Sequence, residues 1–207
     1  SWFALLGFLT VRYERRRCQA TSNSFTPFGR VSPGPPQTQR APPTYPMKVL
    51  VVEDQSMFNE LLSKACRTHF SAACVVVSAF TASAAKALLQ QGGYTLMLLD
   101  IQLPDMNGFD FAVEAIQIEP LLKIVGVTAY CSCYAIYRLS RSPLQAFIDK
   151  SIDTLDELWR AFQAIDAGEN YYSPPVAALR NELNTSPTSF KKLLSDREIT
   201  ILCRVGS

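Results

Sequence analysis

From Met47 onward the sequence alternates, five times over, between a short apolar run and a stretch with helical spacing, and few folds accommodate that pattern. Lys48–Val52 reads as a strand buried on both faces, and Phe58, Leu61, Leu62 and Ala65 follow at the i, i+3, i+4, i+7 spacing of one helix face. Cys74–Ser78 is a second strand. Its helix opens at Thr81, turns Ala84, Ala85, Leu88 and Leu89 inward and stops at Gly92 and Gly93. A third strand, Thr95–Asp100, ends in an acid, and a Pro/Gly loop leads to a helix expected to bury Phe109, Ala112, Val113 and Ile116. Lys123–Thr128 and Ala146–Lys150 are the fourth and fifth strands. Thr154 and Glu157 have capping-box spacing, and Leu155, Leu158, Trp159, Phe162 and Ile165 carry an apolar stripe to Gly168. The pattern predicts an α/β fold: a doubly wound, five-stranded parallel sheet with helices on both faces and right-handed crossovers.

In such sheets ligands bind beyond the carboxyl ends of the strands. The polar residues there are Glu53 and Asp54 after strand one, Asp100 after strand three, Thr128 after strand four and Lys150 after strand five. Clustered carboxylates raise one another's pKa unless a cation offsets them, and an all-oxygen site of this kind suits Mg²⁺. The metal keeps Asp100 usable as an anion at neutral pH. An ionised aspartate beside Mg²⁺ and a lysine can attack a phosphoryl group, with Thr128 donating to a phosphoryl oxygen. That combination predicts a phospho-acceptor site.

Charge and composition exclude other classes. Residues 1–46 hold six Arg against one acid, whereas residues 47–207 hold 14 basic and 17 acidic residues, so the body is mildly acidic and unsuited to purely electrostatic nucleic-acid binding. Seven of the 13 Pro lie in residues 1–46, a leader expected to be disordered and outside the functional unit. Its apolar run, Trp2–Val11, is about half the length of a spanning helix, which predicts no membrane association and a cytoplasmic location. The six Cys lack zinc-site spacing, and His69 is the one histidine. A flavin or dinucleotide protein would place a Gly-rich phosphate loop after strand one, where Glu53, Asp54 and Gln55 would repel phosphate. A dehalogenase-type phosphatase would carry Asp-x-Asp, but Ile101 and Gln102 follow Asp100.

Four motifs, Val51–Asp54, Leu98–Gly108, Val127–Ala129 and Phe147–Lys150, appear in the order and at the strand ends found in one family. Residues 47–167 resemble the receiver domain of two-component response regulators, with a flavodoxin-like sheet of order 2-1-3-4-5. The resemblance implies that Asp100 is phosphorylated and that Glu53, Asp54, Asp100 and the backbone carbonyl of Gln102 bind Mg²⁺. It implies that Lys150 contacts the phosphoryl group and that Thr128 moves towards it. Phe147 stands where the family carries a switch aromatic, and a core aromatic reads the same in sequence. Its rearrangement would alter the surface near Tyr130, Tyr134 and Tyr137. The family usually has Pro after the strand-five lysine; here Ser151 predicts a trans peptide at that bond.

Residues 168–193 read as a linker. Leu194–Leu202 opens a helix, with Ser195 and Glu198 as a capping box and Leu194 and Ile199 as a hydrophobic staple. Residues 194–207 resemble the truncated start of a LuxR-type helix-turn-helix of NarL/FixJ-like regulators, without a recognition helix. The implied function is phosphorelay signal transduction controlling transcription through that output domain. The implied partners are a sensor histidine kinase or phosphotransfer protein and a homodimer formed on phosphorylation, with DNA reached only through the missing domain. The chain is then a phospho-acceptor and not an enzyme in the ordinary sense. The competing reading is a stand-alone receiver acting through protein contacts.

Overall fold

The computed structural model describes residues 47–70, 74–151 and 153–185. The leader at 1–46 and the helix start at 194–207, with its Ser195 and Glu198 capping box, lie outside the described residues. The strands are β1 (Lys48–Val52), β2 (Val75–Ala79), β3 (Leu96–Asp100), β4 (Lys123–Thr128), β5 (Ala146–Asp149) and β6 (Tyr171–Tyr172). The helices are α1 (Ser56–Phe70), α2 (Ala82–Leu89), α3 (Gly108–Ile118), α4 (Cys133–Leu139), α5 (Thr154–Ala167) and α6 (Pro174–Thr185). All strand pairs are parallel, in the order β2-β1-β3-β4-β5-β6. The register sets Val52 beside Leu99 and Asp100 beside Val127, so β1, β3 and β4 end at nearly one level.

Alternate residues of the central strands feed two cores. Leu50, Val52, Met97, Leu99, Ile124 and Phe147 pack under α2, α3, α4 and α6. Val49, Val51, Leu98, Val125, Val127 and Ile148 pack under α1 and α5. Each such side chain, fully withdrawn from water, contributes about 1.5–3 kcal/mol. Their near-continuous apolar runs follow from burial on both faces.

The sheet has one strand more than the five expected. Gly168 closes α5 at φ 79°, a left-handed conformation open to glycine, and the chain reverses to lay Tyr171 and Tyr172 beside Ala146 and Phe147. This short strand satisfies the outer edge of β5, which would otherwise present unpaired backbone groups. Val176 and Leu183 of α6 then enter the first core. A two-residue strand carries no readable periodicity, so this stretch reads as linker in sequence.

Two local expectations are corrected. The capping box at Thr154 does not form: α5 is entered from Asp153, Thr154 Oγ1 accepts the Ser151 N–H (2.8 Å), and Glu157 bonds the Tyr171 hydroxyl (2.6 Å) and Arg160 (2.7 Å) instead of returning to the cap. Tertiary partners outcompete the local cap. In α3 the buried stripe runs through Phe109, Phe111, Ala112 and Ala115, leaving Val113 exposed, because the helix is rotated about its axis relative to the expected face.

Candidate functional site

Each acidic residue reaches the site from a strand whose apolar residues fix its register. Glu53 and Asp54 follow β1. The Glu53 N–H donates to the Ala79 carbonyl (3.1 Å), and Asn59 Nδ2 donates to the carbonyls of Glu53 (3.1 Å) and Ala79 (3.2 Å), tying the β1–α1 turn to the end of β2. Asp100 closes β3. Glu53 and Asp100 are buried and Asp54 is exposed, yet a carboxylate oxygen from each lies within 4.8 Å of the others.

Lys150 sits among them. Its Nζ donates to Asp100 Oδ2 (2.7 Å) and lies 2.7 Å from Glu53 Oε2. The second contact is an ion pair without hydrogen-bond geometry, so Glu53 Oε2 is a buried oxygen with no hydrogen-bond partner. Asp100 Oδ1 accepts the Gln102 N–H (2.9 Å), and the Phe58 ring centroid lies 4.8 Å from the ammonium. Burial pushes the Glu53 carboxyl up to about 7, and the Asp100 charge adds to this while Lys150 opposes it. Burial works against the Lys150 charge, but Asp100 and Glu53 outweigh it and raise its pKa.

Three carboxylates facing one ammonium leave excess negative charge in a confined, all-oxygen donor set. That surplus, and the Glu53 oxygen that has an ion pair but no hydrogen bond, fit a hard divalent cation. Two glycines shape the surroundings. A Cβ on Gly108 would strike the backbone of Asp100 and Ile101, so glycine lets α3 start directly against the acceptor strand. A Cβ on Gly126 would strike Leu144 and Phe147.

The remaining expected residues take different positions. The Thr128 hydroxyl is buried and engaged with Tyr130, accepting its N–H and donating to its carbonyl, each at 3.1 Å. Phe147 is fully buried, with its ring 5.6 Å from that of Phe109. Gln102 is exposed and forms a bridge with Asn107. Of the three tyrosines near the expected switch surface, Tyr130 is exposed, Tyr134 half-buried and Tyr137 buried. The Lys150–Ser151 bond is trans. The Ser151 N–H, which a proline would lack, donates to Thr154 Oγ1 and to the Asp149 carbonyl (3.0 Å).

Sequence reasoning missed Asp105, whose carboxylate accepts the N–H groups of Ala82 and Ser83 (both 2.9 Å) and the Ser83 hydroxyl (2.8 Å). The bond to the Ser83 N–H, with that to Ala82 and the Ser83 hydroxyl, holds the Asp105 carboxyl below its usual range. It joins the loop after Asp100 to the start of α2. Its position after Pro104 marks a loop acid, but its partners lie more than twenty residues away.

Residues 49–163 match the family model described as the response regulator receiver domain. The Fimbriae Z protein of Escherichia coli is 28% identical over 108 residues, covering 52% of this chain and 51% of that protein. The response regulator receiver protein CpdR of Brucella abortus is 31% identical over 91 residues, covering 41% of this chain and 68% of CpdR. A LuxR-family two-component response regulator from an Aurantimonas species has the same fold, with a TM-score of 0.60 at 21% identity over 67% of this chain and 98% of that one. This chain spans about half the length of the Fimbriae Z protein.

Proposed function

The chain belongs to the response regulator receiver domain family, and on that premise we propose that it accepts a phosphoryl group on Asp100 and passes the change along β5 to the segment that follows the sheet. The observation that carries this reading is the buried Asp100 carboxylate, held at one oxygen by the Gln102 N–H and at the other by Lys150, beside the carboxylates of Glu53 and Asp54.

Glu53, Asp54, Asp100 and the backbone carbonyl of Gln102 would hold Mg²⁺. When bound, the ion supplies positive charge against the phosphoryl oxygens. A carboxylate oxygen of Asp100 attacks the phosphorus of a phosphohistidine or an acyl phosphate. The new P–O bond forms as the bond to the donor breaks, and the donor leaves with the electron pair. Lys150, already anchored between Glu53 and Asp100, turns its ammonium to a phosphoryl oxygen. Thr128 exchanges its bonds to the Tyr130 backbone for one to another such oxygen. Its movement alters the space beside β5, and Phe147, packed against Gly126 and Phe109, shifts the surface made by α4, β5 and α5.

The donor is a sensor histidine kinase or phosphotransfer protein of the cytoplasm, and the response is transcriptional, with phosphorylation favouring a homodimer. The helix pattern from Leu194 supports an output domain of the helix-turn-helix kind. The test is incubation with Mg²⁺ and acetyl phosphate followed by intact mass. A hydroxylamine-labile adduct that disappears in Asp100→Asn is expected; an adduct that survives this substitution would overturn the assignment.

A further inference from the structure

Ser173 is fully buried at the junction of β6 and α6. Its N–H donates to the Phe147 carbonyl (3.1 Å), extending the ladder between β5 and β6 by one rung. Its hydroxyl donates to Asp149 Oδ1 (2.7 Å) and accepts the Asp149 N–H (3.2 Å), so both polar ends of one residue are clamped by one side chain. Its carbonyl accepts the Ala177 N–H (2.8 Å) and so begins α6. One residue therefore joins the last turn of β5 to the first turn of α6.

Asp149 immediately precedes Lys150. Successive side chains of an extended chain leave on opposite sides, so holding Asp149 towards α6 fixes the direction in which Lys150 departs. The Lys150 N–H donates to the Thr128 carbonyl (2.7 Å) on the other side of β5. Asp149 and Lys150 are thus held on opposite sides of β5, the first by Ser173 and the second by the Thr128 carbonyl. No proline ring follows to fix the backbone, since residue 151 is serine, and hydrogen bonds must set the course of the chain there. The clamp on Asp149 is the nearest of these bonds on the N-terminal side of Lys150.

From this geometry we propose that Ser173 is a positioning residue for Lys150, which makes residues 171–185 a working part of the acceptor site and not a spacer. The proposal rests on the reading of Asp100 as the phospho-acceptor. By linkage, any movement of Lys150 towards a phosphoryl group loads the same clamp and reaches the first turn of α6.

The test uses the full chain with Ser173→Ala, Asp149→Ala and Asp149→Asn. Two readouts are taken: the rate of labelling by acetyl phosphate at saturating Mg²⁺, and backbone amide hydrogen exchange without phosphodonor. In Ser173→Ala the labelling rate is expected to fall about tenfold, as a displaced reacting group costs rate. The Mg²⁺ affinity is expected to hold, because none of the three clustered carboxylates bonds Ser173. The Lys150 amide should exchange about tenfold faster while that of Leu98, deep in β3, does not change. Asp149→Ala removes the 2.7 Å side-chain bond but leaves the residue 149 N–H bonded to the Ser173 hydroxyl, so a smaller loss is expected, and the double variant should match Ser173→Ala. Asp149→Asn keeps an acceptor for the Ser173 hydroxyl and should retain most of the rate; a loss equal to that of Ser173→Ala would assign the effect to charge and overturn the proposal. Unchanged labelling in Ser173→Ala, or unchanged exchange at Lys150, also overturns it. If the unsubstituted protein takes no label, the acceptor reading fails instead, and exchange at Lys150 still decides the positioning role.

Discussion

The ammonium of Lys150 lies 2.7 Å from Asp100 Oδ2, across a sequence separation of 50 residues, with both side chains almost wholly removed from water. The pair joins the ends of β3 and β5 although β4 lies between them. Lys150→Ala leaves the Asp100 and Glu53 carboxylates facing each other without their cation. The expected result is a loss of about 3 kcal/mol in urea unfolding without Mg²⁺, as for other broken buried pairs. Labelling by acetyl phosphate should slow about 100-fold, the scale of losing one preorganised charge at a reacting centre.

Asp54 is the exposed member of the carboxylate cluster, so its removal should test cation binding with little damage to the fold. Raising Mg²⁺ to about one hundred times its Kd is expected to stabilise the protein by about 2.7 kcal/mol. Asp54→Asn should abolish most of that gain while leaving metal-free stability nearly unchanged. Paired denaturation curves with and without Mg²⁺ measure both.

Gly126 lies beside Phe147 in the β4–β5 pairing, and a methyl group there would overlap the Phe147 ring and Leu144. Gly126→Ala should cost about 1–3 kcal/mol by overpacking. Chemical shifts of the Phe147 ring protons, followed against Phe109 as its ring neighbour, should report the displacement.

His69 packs among the rings of Phe70, Trp159 and Phe162, and burial lowers its pKa from 6.5, with the Asp166 charge partly opposing the shift. The folded state therefore binds fewer protons at this ring than the unfolded chain. Its contribution to stability is present above pH 6.5 and is lost as pH falls through the lowered folded value. Relative to His69→Gln, the urea midpoint should drop as pH falls from 6.5 through the lowered folded value, while the raised Glu53 carboxyl contributes the opposite slope to both proteins and cancels in the comparison. Because the chain has one histidine, its imidazole resonances give the folded pKa directly.

Leu183 enters the core from α6, beyond the last strand. Leu183→Ala is expected to cost about 2–3 kcal/mol and to shift a single cooperative transition. A separate early transition would show that α6 unfolds independently of the sheet.

The fold was legible because each strand of the receiver is an uninterrupted apolar run and each helix has a wide apolar stripe. These are local signals. Glu53, Asp54, Asp100 and Lys150 were legible for a related reason: in a parallel sheet, residues at the ends of successive strands share one edge whatever the loops do. The helix phases were less legible. Val113 and Phe111 are both apolar and two residues apart, and only packing against the sheet decided which of them to bury. Glu157 had the spacing for a cap, but its carboxylate accepts from the Tyr171 hydroxyl, 14 residues further on.

Chain order and apolar spacing alone thus determined the doubly wound sheet and the acidic edge where its strands end, since both depend on burial averaged over many residues. Side-chain direction and register decided the rest: the engagement of Thr128 with Tyr130, the inward ring of Phe147, the sixth strand, and the bond from Ser173 to Asp149. Those features depend on ångström-scale placement between segments distant in sequence, and no local pattern of residue types encodes a distance.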